Sequence, residues 1–407
     1  MIIEEQDDAD ENGRIPDFST FLARCLDVLG PMGTGKTHRA EGFFDVHPEY
    51  SILIICIRRI MCFAMTKRLE RLGFELYTTT FKARRLVVEY ESIHKLERSY
   101  DIIYIDEVRS LLTTAVCYAT NGMNATRHLL RLVQLCSKAK HTILTDADSN
   151  LDCAVDLFRD SVFKPEDVTT IRVPKPFMER KFTFMSKEGT FEQMYADLQA
   201  GHRVVASFAS VKMLQGCMEH MKANSVIDES LITGYFAAAD NKDELYDVNR
   251  FWGKYQFICY TSTVTVSLDF TEPVYRVYVF PNRLSSCPRE NLQAAGRSRN
   301  VITKQVIVAM DSTCRYMPLE RGYDFKADYE RELKFLTDRR STVVSFNKLT
   351  QREREQYGTF EEDITGEGVV YTPTLYTKLW AVDRAEQALP RQQREVSLEK
   401  TRKETKN

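Results

Sequence analysis

No stretch of the 407-residue chain is apolar for long enough to span a bilayer. Its first residues, MIIEEQDDADENG, are acidic where a secretion signal would be basic and then apolar. The ten cysteines include no C-x-x-C pair and no other familiar zinc spacing. That excludes a structural zinc module and, in a chain of this size, describes reduced and mostly buried thiols. Net charge is missing too: 56 Lys and Arg against 58 Asp and Glu leave −2, so no overall basic field announces a nucleic-acid partner. A local basic channel can still be masked by acidic residues elsewhere. What remains is expected to be a soluble, intracellular protein without a membrane partner. It is 43% hydrophobic and 28% charged, and its length suits about two to three domains.

The strongest positive feature is GPMGTGKT, which fits the phosphate-loop pattern G-x-x-x-x-G-K-[ST]. Its residues are Gly30, Pro31, Met32, Gly33, Thr34, Gly35, Lys36 and Thr37. Glycines allow a turn tight enough to aim backbone N–H groups at a triphosphate; Lys36 can bridge β- and γ-phosphates, and the Thr37 hydroxyl can ligate Mg²⁺. The apolar run Cys25–Leu29 predicts a buried strand before the loop, and the residues after Thr37 predict a helix whose N-terminus faces the phosphates. A nucleoside triphosphate, ATP, is the expected ligand.

Strand-like runs then alternate with amphipathic stretches. Ser51–Ile57 is a second buried strand ending at Arg58 and Arg59, Leu86–Glu89 a short one leading into YESIHKL, and Asp101–Ile105 a third that runs into Asp106 and Glu107. An apolar strand ending in Asp-Glu, about seventy residues after a phosphate loop, suits a Walker B site. Asp106, beside the loop, would hold the Mg²⁺ hydration shell and Glu107 would polarise the attacking water. Thr142–Leu144 is another core strand, opening onto Thr145-Asp146-Ala147-Asp148.

The proline-bearing segment Arg172–Pro176 separates two similar patterns. We therefore expect an acidic N-terminus over 1–18, a first domain over 19–175, a second over 176–320 and a charged C-terminal extension over 321–407. In the second domain Lys181–Met185, Arg203–Phe208, Leu231–Thr233, Gln256–Tyr260, Tyr275–Phe280 and Gln305–Ala309 read as strands. Lys242–Trp252 reads as one amphipathic helix, and Arg289–Gly296 starts another that leads into Gln293-Ala294-Ala295-Gly296-Arg297-Ser298-Arg299. No second phosphate loop is present.

Taken in order, GPMGTGKT, Arg58-Arg59, YESIHKL, DEVRSLL, TDAD, TSTVTVSLDF and QAAGRSR resemble a superfamily 2 helicase core. Within it they are most similar to the helicase part of the herpesvirus-type replication origin-binding proteins. The resemblance covers roughly Asp27 to Asp311. It implies an α/β fold of two tandem RecA-like P-loop domains with parallel sheets, with ATP in the cleft between them and Mg²⁺ bound by Thr37 and Asp106. Arg297 and Arg299 become candidate arginine fingers for charge developing on the γ-phosphate, and Gln293 a reporter of nucleotide state. Nucleic acid, single-stranded or duplex DNA with RNA left open beside it, would lie across strand ends. Its phosphates would meet Arg58, Arg59, Ser92, His94, Thr261, Ser262 and Thr265. Asp269 is a weaker candidate facing ATP or the loop lysine.

Three departures stand out. DEVR places Arg109 where relatives couple their two domains, TDAD replaces SAT, and GRSR is tighter by one residue than GRxxR. The chain is also short for a C-terminal origin-recognition module, so sequence-specific origin recognition is not expected. The implied activity is that of an ATP-dependent helicase or translocase acting in DNA replication, with replication proteins as partners, in the nucleus or, for a viral source, the host nucleus or cytoplasm. The alternatives are an ATP-switched nucleic-acid clamp that does not unwind, and a degenerate interaction protein.

Overall fold

The computed structural model describes residues 15–18, 23–31, 33–116, 124–147, 153–173, 180–261, 264, 268, 270–281, 293–310, 329–330, 333–334, 358–362, 369–373 and 375–388. The chain divides into two compact units, one formed by Met1–Phe177 with Tyr323–Ala388, the other by Met178–Gly322 with Leu389–Asn407.

The first unit runs β1 (Cys25–Leu29), α1 (Lys36–Val46), β2 (Ile52–Cys56), α2 (Arg59–Arg68), β3 (Glu75–Leu76), β4 (Arg85–Glu89) and a 3-10 turn over Tyr90–Lys95. It continues β5 (Ile102–Asp106), α3 (Val108–Val116), α4 (Ala125–Lys138), β6 (His141–Asp146), α5 (Cys153–Val162) and β7 (Val168–Arg172). The strands form one parallel sheet in the order β3-β4-β2-β5-β6-β1-β7. β1, β2 and β5 are buried along their whole length. This explains their largely apolar sequences, Asp27 and Asp106 apart, since a parallel sheet is covered on both faces and shows no alternation. Because the strands are parallel, every loop that follows one leaves from the same edge. The register sets Asp106 opposite Thr145 and Asp146 opposite Leu29, so these residues share that edge.

The second unit contains β8 (Lys181–Ser186), α6 (Lys187–Gln199), β9 (Val204–Phe208), α7 (Val211–Ala223), β10 (Ile232–Tyr235), α8 (Val248–Trp252), β11 (Phe257–Tyr260), β12 (Arg276–Phe280) and β13 (Gln305–Met310). Its parallel sheet has the order β10-β11-β9-β12-β13-β8. Ser186 and Ser210 cap α6 and α7, accepting from the N–H groups of Gly189 and Met213. The helix expected over Lys242–Trp252 is broken: a 3-10 stretch fills Asp240–Asp247, and the Asp247 side chain accepts from Arg250 N to start α8 afresh.

Downstream, β14 (Gly358–Glu362) and β15 (Val369–Pro373) pair antiparallel, and α9 (Leu375–Ala388) follows. α9 returns to the first unit and packs on α3 and α5, burying Tyr376, Leu379 and Val382, a stripe at helical spacing. Both units are thus α/β domains with parallel sheets, the RecA-like arrangement, and the C-terminal region is partly helical. Among the described residues no helix is long and apolar enough to cross a membrane.

Candidate active site

β1 ends at Leu29 and the chain turns at Gly30, whose N–H donates to Asp146 O at 3.1 Å. A Cβ on Gly30 would stand 3.0 Å from Thr34 Oγ1 and 3.4 Å from Val173 Cβ, so the turn admits no larger residue easily. Gly33 and Gly35 take left-handed φ of 87° and 89°, the region that favours glycine. Thr34, fully buried, donates its hydroxyl to Pro31 O at 2.8 Å and stiffens the loop. Gly35 is the N-cap of α1; no side chain caps this helix and its first turn carries no acidic residue. Its positive end is therefore open to an anion. Lys36 Nζ donates to Gly30 O, and to Pro31 O at 3.2 Å, so the ammonium lies along the loop. Met32 lies outside the described residues. Ile15–Phe18, assigned by sequence to the acidic tail, is drawn onto this region. Ile15 N donates to Thr34 O at 3.2 Å, Arg39 Nε donates to Ile15 O at 2.6 Å, and Ile15 and Phe18 are fully buried.

The carboxylates reach the loop through the strand between them. β6 is the neighbour of β1 and β5, so Thr145 and Asp146 stand between the phosphate-loop strand and that of Asp106. Thr145 Oγ1 donates to Asp106 Oδ1 at 2.7 Å, and Glu107 N donates to the same oxygen at 3.1 Å. Thr145 Oγ1 is also 3.4 Å from the Tyr104 hydroxyl, against which the Thr37 side chain lies. Tyr104 and Thr145 therefore connect the loop's threonine to the Walker B aspartate; sequence reading missed both, although Thr145 was visible in TDAD. Asp146 ties the same parts by another route. Its Oδ2 accepts from Arg109 N at 2.9 Å at the start of α3, while its carbonyl holds Gly30. Glu107 is buried and has a φ of 57°, uncommon for a residue with a side chain and the kind of backbone strain that collects at functional sites.

Two hydroxyl and carboxylate oxygens, from Thr37 and Asp106, make a hard donor set that fits Mg²⁺. Among the described residues no group of three or more His, Cys, Asp and Glu could hold a metal. Mg²⁺ in phosphoryl-transfer sites needs none, because phosphate and water complete its shell. Behind the site, Asp27 of β1 is 1% exposed and paired with Arg159 of α5 at 3.1 Å. Burial pushes its carboxyl up to about 6, against the opposing pull of Arg159.

Of the residues expected to meet nucleic acid, Arg58 and Arg59 are exposed directly after β2, with the Arg59 guanidinium over the Phe63 ring at 5.5 Å. Ser92 is 9% exposed, inside the turn rather than on it. His94 is half-buried; its Nδ1 is 2.9 Å from Glu91 O, and its ring stacks on His128 at 4.8 Å. In the second unit Thr261 is buried and donates its N–H to Tyr235 O at 3.0 Å. Ser262, Thr265 and Asp269 lie outside the described residues.

The QAAGRSR segment is not a continuing helix. One helical turn spans Gln293 to Ala295, and then Phe270 N donates to Arg297 O at 2.9 Å and Arg299 N to Phe270 O at 2.8 Å. These bonds pull the chain into a parallel bridge between Phe270 and Ser298. The residues where that helix was expected to begin fall outside the described set. Arg297 is 3% exposed, close to Tyr260, whose hydroxyl donates to Ala294 O at 2.8 Å. Gln293 is buried as well, whereas Arg299 is half-buried and has Arg180 beside it.

A phosphate loop, a buried Asp-Glu at a parallel strand end and two RecA-like α/β units make up a P-loop nucleotide-binding fold. Residues 3–195 match the family model described as "Origin of replication binding protein". The chain is similar to the replication origin-binding protein of human herpesvirus 6A, 26% identical over 320 residues, or 73% of this chain and 39% of the relative. It is also similar to the putative replication origin-binding protein of Acanthamoeba polyphaga mimivirus, 23% identical over 312 residues, or 70% of this chain and 37% of that protein. The chain thus spans about two fifths of the length of these curated relatives. Among solved structures, Mycobacterium smegmatis helicase Lhr bound to single-stranded DNA and AMP-PNP aligns at a TM-score of 0.52 and 14% identity, over 70% of this chain and 44% of that one. S. cerevisiae Dbp5 bound to RNA and ADP BeF3 aligns at 0.53 and 14%, over 71% and 80%. The resemblance read from the motifs holds, and the fold is that of these helicases.

Proposed function

We propose that this chain is an ATP-dependent helicase or translocase acting on DNA, with a role in replication related to that of the origin-binding proteins. The observation that carries the reading is the linkage, within one unit, of an uncapped phosphate-loop helix to buried Asp106 and Glu107 through Thr37, Tyr104 and Thr145. Loop amides and Lys36 would bind the triphosphate, the lysine exchanging its carbonyl partners for phosphate oxygens. Mg²⁺, held by Thr37 and Asp106, would supply charge neutralisation at the β- and γ-phosphates. Glu107 would orient a water and take its proton as the new O–P bond forms on the γ-phosphorus and the bond to the β-phosphate oxygen breaks, giving ADP and inorganic phosphate. The second unit would contribute Arg299 or Arg297 to the charge that develops on the transferring group. Arg58 and Arg59, exposed at a strand end, are the candidates for holding the nucleic-acid backbone.

The test is ATP turnover by the purified chain with and without DNA, beside a strand-displacement assay. DNA-stimulated turnover with strand displacement is the expected result. Turnover without displacement leaves the ATP-switched clamp, and no turnover at all removes the enzymatic reading.

A further inference from the structure

Several cations of this protein are paired with carboxylates. Arg24 meets Asp167, Arg68 and Arg71 meet Glu41, Lys140 meets Asp101, Lys222 meets Glu229, Lys254 meets Glu244 and Arg276 meets Asp197. One region of the first unit gathers cations that have no such partner among the described residues. Lys82, Lys95, Arg98, Arg127 and Arg131 take part in none of the ion pairs among the described residues.

These five residues lie on adjoining segments of the first unit. Arg131 Nη2 donates to Leu96 O at 2.7 Å and Arg98 O at 3.3 Å, joining α4 to the segment after the Tyr90–Lys95 turn. Arg98 Nη1 donates to Lys82 O at 3.3 Å, joining that segment to the loop before β4. Lys95 sits over the Phe81 ring at 5.7 Å and Arg98 over the Tyr100 ring at 5.1 Å. Arg127 is one helical turn before Arg131, on the same face of α4. Lys82, Lys95, Arg98 and Arg127 are exposed and Arg131 is half-buried. Backbone carbonyls and ring faces thus order Lys95, Arg98 and Arg131 without neutralising them. The acidic residue exposed within the track is Glu97.

We propose that this track is a second nucleic-acid surface, one that grips the phosphate backbone of a duplex and continues from His94 down the outer face of α4. It deepens, and rests on, the reading of the chain as a DNA-dependent motor. Phosphates are the fitting partner because guanidinium and ammonium groups gain most by displacing the counterions of a dense polyanion. A duplex fits better than a single strand because single strands are held by stacking on exposed rings, and here the rings lie beneath the cations. Among the described residues the exposed large apolar side chains are Val46, Leu130, Val211 and Ile302, with no aromatic among them. The grip is therefore blind to sequence and would hold duplex ahead of or behind the stepping site.

The experiment replaces Lys82, Lys95, Arg98 and Arg127 together by Gln and measures affinity for a fluorescent duplex across a salt series. The control replaces four paired cations, Arg71, Lys140, Lys222 and Lys254, by Gln, with the same change in net charge; circular dichroism and thermal unfolding check both folds. The expected result is a salt slope shallower by about two to four for the track variant, at least tenfold weaker duplex binding near 0.1 M salt, and a smaller loss for a short single strand. The control should keep the parent's slope. A parent that binds duplex and a track variant with an unchanged slope would overturn the track alone, while a parent that binds neither duplex nor single strand overturns the motor reading with it. If duplex binding is unchanged but binding of a poly-Glu peptide is lost, the track serves an acidic protein and the proposal fails.

Discussion

Thr145 places its hydroxyl 2.7 Å from the Asp106 carboxylate, two residues from adjacent strands of one parallel sheet. The same hydroxyl touches Tyr104, so the strand between the phosphate loop and the Asp-Glu pair is part of the site and not merely its support. Thr145→Val keeps the shape and β-branching but removes the donor to a charged acceptor, an interaction worth about 1.5–3 kcal/mol. ATP turnover should fall by about tenfold or more with the nucleotide dissociation constant changed less. Steady-state kinetics beside equilibrium binding of a fluorescent ATP analogue decide it; equal effects on both would make Thr145 a structural residue only.

Lys36 directs its ammonium to the loop carbonyls of Gly30 and Pro31 and is not part of the apolar core. Lys36→Ala should leave the circular dichroism spectrum and thermal midpoint near the parent's while turnover drops by about 10²-fold or more. Near-parental turnover would take the loop out of the reaction.

Glu107→Gln preserves size and one acceptor but cannot accept a proton from water. Turnover should fall by about 10²- to 10⁴-fold with ATP still bound. A filter-binding measurement should then show raised DNA affinity in the presence of ATP. Parental hydrolysis by the variant would reassign the water-positioning role.

Arg299 and Arg297 differ in exposure, the first half-buried and the second 3% exposed. Arg299→Ala should bind ATP nearly as the parent does and lose about 10³-fold in kcat. Arg297→Ala should lower the thermal midpoint as well, because it empties a buried position next to Tyr260. If both single variants keep DNA-stimulated turnover within about threefold of the parent, where one lost γ-phosphate contact should cost far more, hydrolysis makes no use of the second unit.

Asp27 gives a pH signature. Burial raises its carboxyl from 3.8 to about 6, so between those values the folded chain holds a proton that the unfolded chain has released. Stability therefore falls as pH rises through that window and is flat on either side, by up to about 3 kcal/mol for a shift of roughly two pH units. Asp27→Asn removes this contribution while Asp156 and Asp160 still hold Arg159 at 2.9 and 3.2 Å. Urea midpoints at pH 4 and pH 7, followed through Trp380 of the first unit, should separate more in the parent than in the variant. Identical pH dependence would mean that Asp27 ionises normally in the fold.

What could be read from the sequence was what local chemistry decides. The runs that became β2, β5, β9 and β12 are mostly apolar because both faces of each sheet are covered. Gly30 to Thr37 announced their own backbone. β7 escaped notice because Val168, Thr169 and Thr170 are half-buried on an edge strand with no clear period. The place of β6 between β1 and β5 is a matter of topology, set by long-range packing, and the sequence alone does not bring Thr145 to Asp106. The two-residue strand β3 is too short to leave a pattern. The QAAGRSR segment reads as a helix by composition, and bonds to Phe270, distant in sequence, decide otherwise.

α9 belongs to the first unit yet is made after the second, so the first unit is discontinuous in the order of synthesis. Between Phe177 and Ala388 a ribosome adds 388 − 177 = 211 residues, which takes about ten to forty seconds at ordinary elongation rates. For that time the surfaces of α3 and α5 that later receive Tyr376, Leu379 and Val382 have no cover, and the helix that begins right after Glu107 lacks one of the elements that pack on it. Nascent chains should therefore reach the second unit's fold before the nucleotide unit is complete. An excised 15–177 fragment should be aggregation-prone until a peptide spanning 375–388 is supplied to it.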